Sequence, residues 1–196
     1  MTGDSASIVL DTARLRLRPF AAADAPAVQT YCAEVEIART TLAIPHPYEA
    51  GLAAAWIAGH AERRGSGAGW IFAMTTRDDE ALVGAIDLRI EAEHARAELG
   101  YVVYTPFWNR GYATEAARAI IRFGFDTLAL NRIDAHHFVT NPASGRVLEK
   151  AGMSFEGVLR QRIRKWGEFI DVRQYAILRS DPAAAPTDPS PKDSAP

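Results

Sequence analysis

AELGYVVYTPFWNRGYATE, residues 97–115, decides the fold. Ala97–Tyr104 reads as a strand, and Thr105-Pro106 ends it. From Tyr112 to Leu128 the period changes: Ala116, Ala117, Ile120, Ile121, Gly124, Phe125 and Leu128 recur at helical spacing. Arg118, Arg122 and Asp126 lie four apart on another, solvated face. Between strand and helix sits a short loop with Gly111 and Ala113. A helix start leaves main-chain N–H groups unpaired at the positive end of the dipole, and small residues let an anion such as phosphate reach them. A glycine at a helix start also serves as a plain turn. Two familiar phosphate loops fit worse. No lysine among Lys150, Lys165 and Lys192 follows a P-loop glycine pattern, and Gly65-Ser66-Gly67 has Trp70 in place of the third dinucleotide-binding glycine.

Outward from this stretch the pattern alternates. Arg14-Leu15-Arg16-Leu17-Arg18 has period two and one apolar face, and Pro19 ends it. Asp24 is placed to cap a helix through Val28 to Cys32, with Pro26 in its first turn. Ile44–Tyr48 is a loop; Glu49 to Arg64 reads as a second helix, broken at Gly65–Gly69. Trp70–Thr75 and Leu82–Ile90 are strands. Arg132–Val139 is strand-like, and Asn141-Pro142 opens a helix that stops at Gly152. Phe155–Arg162 and Glu168–Leu178 form a hairpin around Trp166-Gly167. Strand–helix–strand units beside a meander predict an α/β or α+β layer fold with a mixed sheet.

A second block, NPASGRVLEKAGM (residues 141–153), again lies at a strand end and helix start. With AELGYVV, FWNRGYATEA, EGVLRQRIRKWGEFIDVRQYAIL and the opening LDTARLRLRPF, the chain from Leu10 to Arg179 resembles the GNAT superfamily of acetyl-CoA-dependent N-acetyltransferases, in its RimJ/RimL-like, ribosomal-protein alanine N-acetyltransferase branch. The resemblance implies a mostly antiparallel mixed sheet, splayed at a central V-shaped cofactor cleft and flanked by helices. The family's Gln/Arg-x-x-Gly-x-Gly/Ala loop has Trp108 at its first position here, with Gly111 and Ala113 at the others. Main-chain amides do the binding in that loop, so the change touches one flanking side chain.

The resemblance assigns roles. Acetyl-CoA is the cosubstrate, its pyrophosphate on the amides of Arg110, Gly111, Tyr112, Ala113 and Thr114, and its pantetheine arm along Tyr101–Val103 like an added strand. A bulge near Tyr101–Val103 would open that edge, and the N–H of Val102 or Val103 would polarise the thioester carbonyl. Asn141 matches a pantetheine-contacting or acceptor-positioning Asn, and also caps a helix. Ser144 matches the acid that protonates the leaving thiolate. Glu98, then Asp87, is the candidate for relaying the amine proton. An α-amine is roughly 10% neutral at pH 7 and a lysine amine about 0.04%, so the α-amine needs little help.

Other side chains read as bland. His136 and His137 point to opposite strand faces, and no metal site is expected. Cys32, Trp56, Trp70 and Phe107 read as core; His46 is a weak substrate contact; Arg160, Arg162 and Arg164, with Lys165 nearby, share one strand face that either draws an acidic acceptor or is simply solvated. Acceptor choice falls to Val35–Tyr48 and Arg160–Glu168.

The 196 residues carry a net charge of −2, against a general nucleic-acid binder, and no apolar run reaches the roughly 18–20 residues of a membrane span. One cysteine and an acidic start without a long apolar core fit a cytoplasmic protein. The domain runs over 10–179, and the Pro/Ala/Ser/Asp-rich stretch 180–196 reads as a disordered tail. The expected function is acetyl transfer to a primary amine, foremost a protein N-terminus. A polyamine or aminoglycoside-like acceptor and a non-catalytic acyl-CoA sensor are the alternatives, and a homodimer stays open.

Overall fold

The computed structural model describes residues 8–182. The chain runs β1 (Leu10–Asp11), β2 (Leu15–Arg18), α1 (Ala25–Cys32), α2 (Val35–Thr40), α3 (Leu52–Ala58), α4 (His60–Gly65), β3 (Gly69–Thr76) and β4 (Leu82–Glu91). It continues through β5 (Arg96–Val103), α5 (Tyr112–Asp126), β6 (Arg132–Phe138), α6 (Pro142–Lys150), β7 (Ser154–Lys165) and β8 (Glu168–Leu178). All eight strands join one sheet in the order β1-β2-β3-β4-β5-β6-β8-β7. Every pairing is antiparallel except β5 with β6. The expected mixed α/β layer fold is the one observed. Most of the expected tail lies outside the described residues.

Each sheet face carries its own core. On one, the apolar stripe of α5 buries Ile120, Ile121, Phe123 and Phe125 against Leu17, Phe72, Ile86 and Leu88. Gly124 permits this approach, because a Cβ there would lie 2.8 Å from Ile133 Cδ1. On the other, Val28 and Cys32 of α1 and Ile57 of α3 cover Ala73, Leu82 and Tyr104.

The helices before β3 differ from expectation. The single helix over 49–64 is two, α3 and α4, hinged at Gly59, and α3 starts after Gly51 at φ 88°. Asp24 does not cap α1; its carboxylate accepts from the Ala21 N–H at 2.8 Å and pairs with Arg18 at 2.8 Å. Trp56 is 38% exposed, where core was expected.

His60 is buried among Phe20 and Trp56, and neither ring nitrogen finds a partner among the described residues. Burial, with Arg63 and Arg64 nearby, pushes its pKa down to about 4. The native state therefore holds it neutral while the unfolded chain takes a proton below about 6.5. The stability this contributes is full above that value and is lost as pH falls toward about 4. His60→Leu is expected to flatten this acid limb by about 2–3 kcal/mol, read from urea unfolding at pH 7.5 and 4.5. An unchanged pH slope in the variant would contradict it.

Candidate active site

The cleft exists because two neighbouring strands follow different partners. β5 and β6 pair only at Arg96↔Arg132, Ala97↔Ile133 and Glu98↔Asp134. Beyond Glu98, β5 stays in register with β4 as far as Gly84↔Val103, while β6 follows β8 as far as Phe138↔Val172. The expected bulge near Tyr101–Val103 is not there, since β4 and β5 pair without interruption. The irregularity lies one strand over, where the β3–β4 register shifts between Met74 and Thr75.

Alternation decides which main-chain groups face the opening. The Ala95 carbonyl accepts from Asn131 on the β6 side at 2.6 Å, and the Tyr104 N–H donates to Val83 on the β4 side at 2.9 Å. Odd-numbered positions between them, Leu99, Tyr101 and Val103, therefore turn their amides toward the cleft, and Val102 turns toward β4. A Cβ on Gly84 would collide with the Val102 carbonyl oxygen, which agrees. Of the two expected oxyanion donors, Val103 has its N–H on the open side. The Trp108 indole N–H donates to the Val103 carbonyl at 2.6 Å, so Trp108 braces the edge from the loop.

That edge leads to the N-terminus of α5. Gly111 caps it at φ 81°, with no side-chain cap, and the first helical bond is Glu115 N–H to the Gly111 carbonyl at 3.2 Å. The amides of Tyr112, Ala113 and Thr114 precede that bond and lack a partner one turn back. Glu115 carries a negative charge into this turn, but it is drawn aside. Its carboxylate accepts from Thr12 Oγ1 at 2.6 Å, from the Arg14 N–H at 2.8 Å and from Arg14 Nε at 2.8 Å. Burial alone would raise its pKa; these partners outweigh it and hold Glu115 below the usual carboxylate range. Arg14 also donates to the Arg110 carbonyl at 3.0 Å and lies 4.7 Å over the Tyr112 ring. The guanidinium of Arg110 stacks on Phe107. The loop before α5 thus carries two guanidinium groups against one carboxylate.

On the α6 side of the cleft, Asn141 caps the helix: its Oδ1 accepts the Ser144 N–H at 3.3 Å. This places the Ser144 Oγ 2.6 Å from the Tyr101 hydroxyl, which also donates to the Ser144 carbonyl at 3.1 Å. Burial pushes Tyr101 up to about 12, so it stays a neutral phenol. Sequence reading counted Tyr101 only as strand edge; its hydroxyl is a partner of Ser144.

On the opposite sheet face a groove of about 1040 Å³ runs from Trp56 and Tyr48 past Asp87 to Glu98 and His136. Glu98 Oε1 lies 2.8 Å from Arg89 Nη2 and 3.1 Å from His136 Nδ1. His136 first, and then Arg89 against the cost of burial, hold Glu98 below the usual carboxylate range. Asp87 keeps a 21% exposed side chain at the groove floor, 3.6 Å from Arg89; desolvation there pushes it up, opposed by Arg89. Gly100 makes room for this row, as a Cβ on it would lie 2.6 Å from Asp87 Oδ1. His137 points away, as expected, with Nδ1 2.8 Å from the Phe138 carbonyl.

Thr41–Pro45 and, from β7, Leu159, Arg162 and Ile163 wall the groove. Lys165 Nζ donates to the Thr41 carbonyl at 2.7 Å, and burial lowers its pKa. Arg160, Arg162 and Arg164 do not form one regular face. The β7–β8 register shifts between Leu159 and Ile163, with Gln161 at φ 51°. Arg162 borders the groove and Arg164 stacks over Phe169.

A splayed parallel pair, an open strand edge and a helix start with unpaired amides can together seat an extended ligand that ends in an anion. Residues 14–154 match the family model described as the acetyltransferase (GNAT) domain, and the chain belongs to that family. Among its relatives, the uncharacterized N-acetyltransferase YoaA of Bacillus subtilis is 39% identical over 104 residues, covering 53% of this chain and 59% of YoaA. The putative ribosomal N-acetyltransferase YdaF of Bacillus subtilis is 30% identical over 127 residues, covering 64% of this chain and 66% of YdaF. The L-amino acid N-acetyltransferase AaaT of Escherichia coli is 27% identical over 159 residues, covering 80% of this chain and 93% of AaaT. The chain thus matches about three fifths of the length of YoaA and most of AaaT. In structure it resembles a GNAT-family acetyltransferase from Bacillus anthracis, with TM-score 0.79 and 28% identity over 89% of this chain and 100% of that one.

Proposed function

We propose that this protein transfers the acetyl group of acetyl-CoA directly to a primary amine, foremost the α-amine of a protein N-terminus, as a RimJ/RimL-like enzyme of the cytoplasm. The observation that carries the reading is the β5 edge from Leu99 to Val103, which no strand among the described residues pairs, ending beside a helix start with no side-chain cap. The pyrophosphate sits on the amides of Gly111 to Thr114, beside Arg110. The pantetheine amides pair with Tyr101 and Val103, and the Val103 N–H polarises the thioester carbonyl, a contribution of about 3–4 kcal/mol. Asn141 Oδ1 is committed to its cap, so its Nδ2 is left to reach the pantetheine. Ser144 protonates the departing thiolate, and Glu98 takes part in removing the amine proton.

Protein N-terminal acceptors are favoured by the long groove and by the chemistry of the α-amine, which needs no strong base. The name of YdaF points the same way. AaaT favours a second reading, a free amino acid as acceptor. Calorimetry with acetyl-CoA, followed by CoASH release over a panel of amines, tests both. A tetrapeptide with a free N-terminal alanine is expected to release CoASH faster than spermidine or free alanine. Faster release with free alanine would favour the second reading, and binding without release to any amine would make the protein a sensor.

A further inference from the structure

We infer that His136, oriented by Glu98, is the catalytic base that takes the amine proton; this rests on the acetyltransferase reading above. β6 turns Asp134, His136 and Phe138 into the groove and His137 the other way. His136 lies two residues past the last parallel pair, Glu98↔Asp134, so it stands beside the open edge where the thioester is placed. On the far side of that edge is the Tyr101–Ser144 pair. Acid and base then flank one reacting carbon.

The tautomer follows from the contacts. A carboxylate 3.1 Å from Nδ1 calls for a proton on Nδ1, which leaves the Nε2 lone pair pointing away from Glu98 as the acceptor. Arg89 fixes Glu98 from β4 at 2.8 Å. Glu98 already holds Arg89 and the His136 Nδ1–H, so it orients the ring rather than taking the proton itself. The groups around His136 are Asp87 and Arg89 from β4, Glu98 from β5, Asp134 and His137 on its own strand, Gln174 opposite it on β8, and Arg162 across the groove.

The step balances as follows. The neutral amine nitrogen forms a bond to the thioester carbonyl carbon and sheds one proton to Nε2. The carbon–sulfur bond breaks, and the thiolate takes the Ser144 hydroxyl proton. The imidazolium then releases its proton to solvent and Ser144 recovers one, so amine and thioester become amide and free thiol.

The test is the pH profile of kcat with the N-terminal alanine tetrapeptide at saturating acetyl-CoA. His136→Ala and His136→Gln are expected to lower kcat by about 100-fold, to leave the KM for acetyl-CoA within about twofold, and to lose one rising limb of the profile. Added imidazole should restore part of the His136→Ala rate. Glu98→Gln keeps the ring but weakens the contact that orients it, so kcat should fall by about tenfold with the KM for acetyl-CoA unchanged. Acetyl-CoA calorimetry on each variant reports that the fold is intact, and the Glu98→Gln kcat decides alone if the His136 variants do not fold. A His136 variant with wild-type kcat and limb, or a wild-type kcat in Glu98→Gln, overturns the assignment while leaving the transferase reading standing. A wild-type protein that releases no CoASH to any amine overturns both.

Discussion

Gly111→Glu is expected to abolish measurable acetyl-CoA binding. Two effects act together. Gly111 holds φ 81° at the helix cap, where a side chain costs about 1–2 kcal/mol. The new carboxylate also sits beside the diphosphate seat. At about 5 Å and an effective dielectric near 20, each unit of charge repulsion costs about 3 kcal/mol, or more than 100-fold in affinity. A Cβ at Gly111 lies 3.4 Å from Arg14 Nη2, so the added group also competes with Glu115 for the guanidinium that braces the loop. Gly111→Ala separates the terms: it carries the strain without the charge and should weaken binding by about tenfold. Calorimetry reads both. Unaltered affinity in Gly111→Glu would remove this loop from the phosphate site.

Ser144→Ala should lower kcat by about 100-fold while leaving the affinity for acetyl-CoA nearly unchanged. The fold has no reason to respond. The Asn141 cap is made to the Ser144 main-chain N–H, and Tyr101 retains its bond to the Ser144 carbonyl. Only the hydroxyl 2.6 Å from the Tyr101 oxygen is lost. Steady-state kinetics together with acetyl-CoA calorimetry make the comparison. A turnover number equal to wild type would take Ser144 out of the chemistry and leave it a packed first-turn residue.

Local signals accounted for most elements. Period two marked β2, the helical spacing of Ala116 to Phe125 marked α5, and Asn141-Pro142 marked the start of α6, each within a residue or two of the structure. The errors fall where tertiary contact overrides a local pattern. Asp24 looked like a cap but found Arg18 and the Ala21 amide instead. The Ala-rich run from Glu49 breaks at Gly59, where α3 packs on α1 and α4 packs on β3.

The site was legible in part. The strand, loop and helix of residues 97–115 stand together in the chain, so an anion seat could be read from them directly. The cross-chain pairs could not. Arg14 meets Glu115 at a sequence separation of 101, and His136 meets Glu98 only because β5 and β6 run parallel for three residues. Nothing in either stretch specifies that register. The same three-residue pairing opens the cleft, which is why a bulge was expected in its place.

The central claim is that one continuous binding surface runs from the amides of Gly111 to Thr114 along the open β5 edge. A crystal soaked with CoA tests it directly. The account predicts the diphosphate on those amides, with the pantetheine chain hydrogen-bonded to the main chain of Tyr101 and Val103. CoA seated elsewhere, or an edge between Leu99 and Val103 still bare in a crystal that binds CoA, would contradict it.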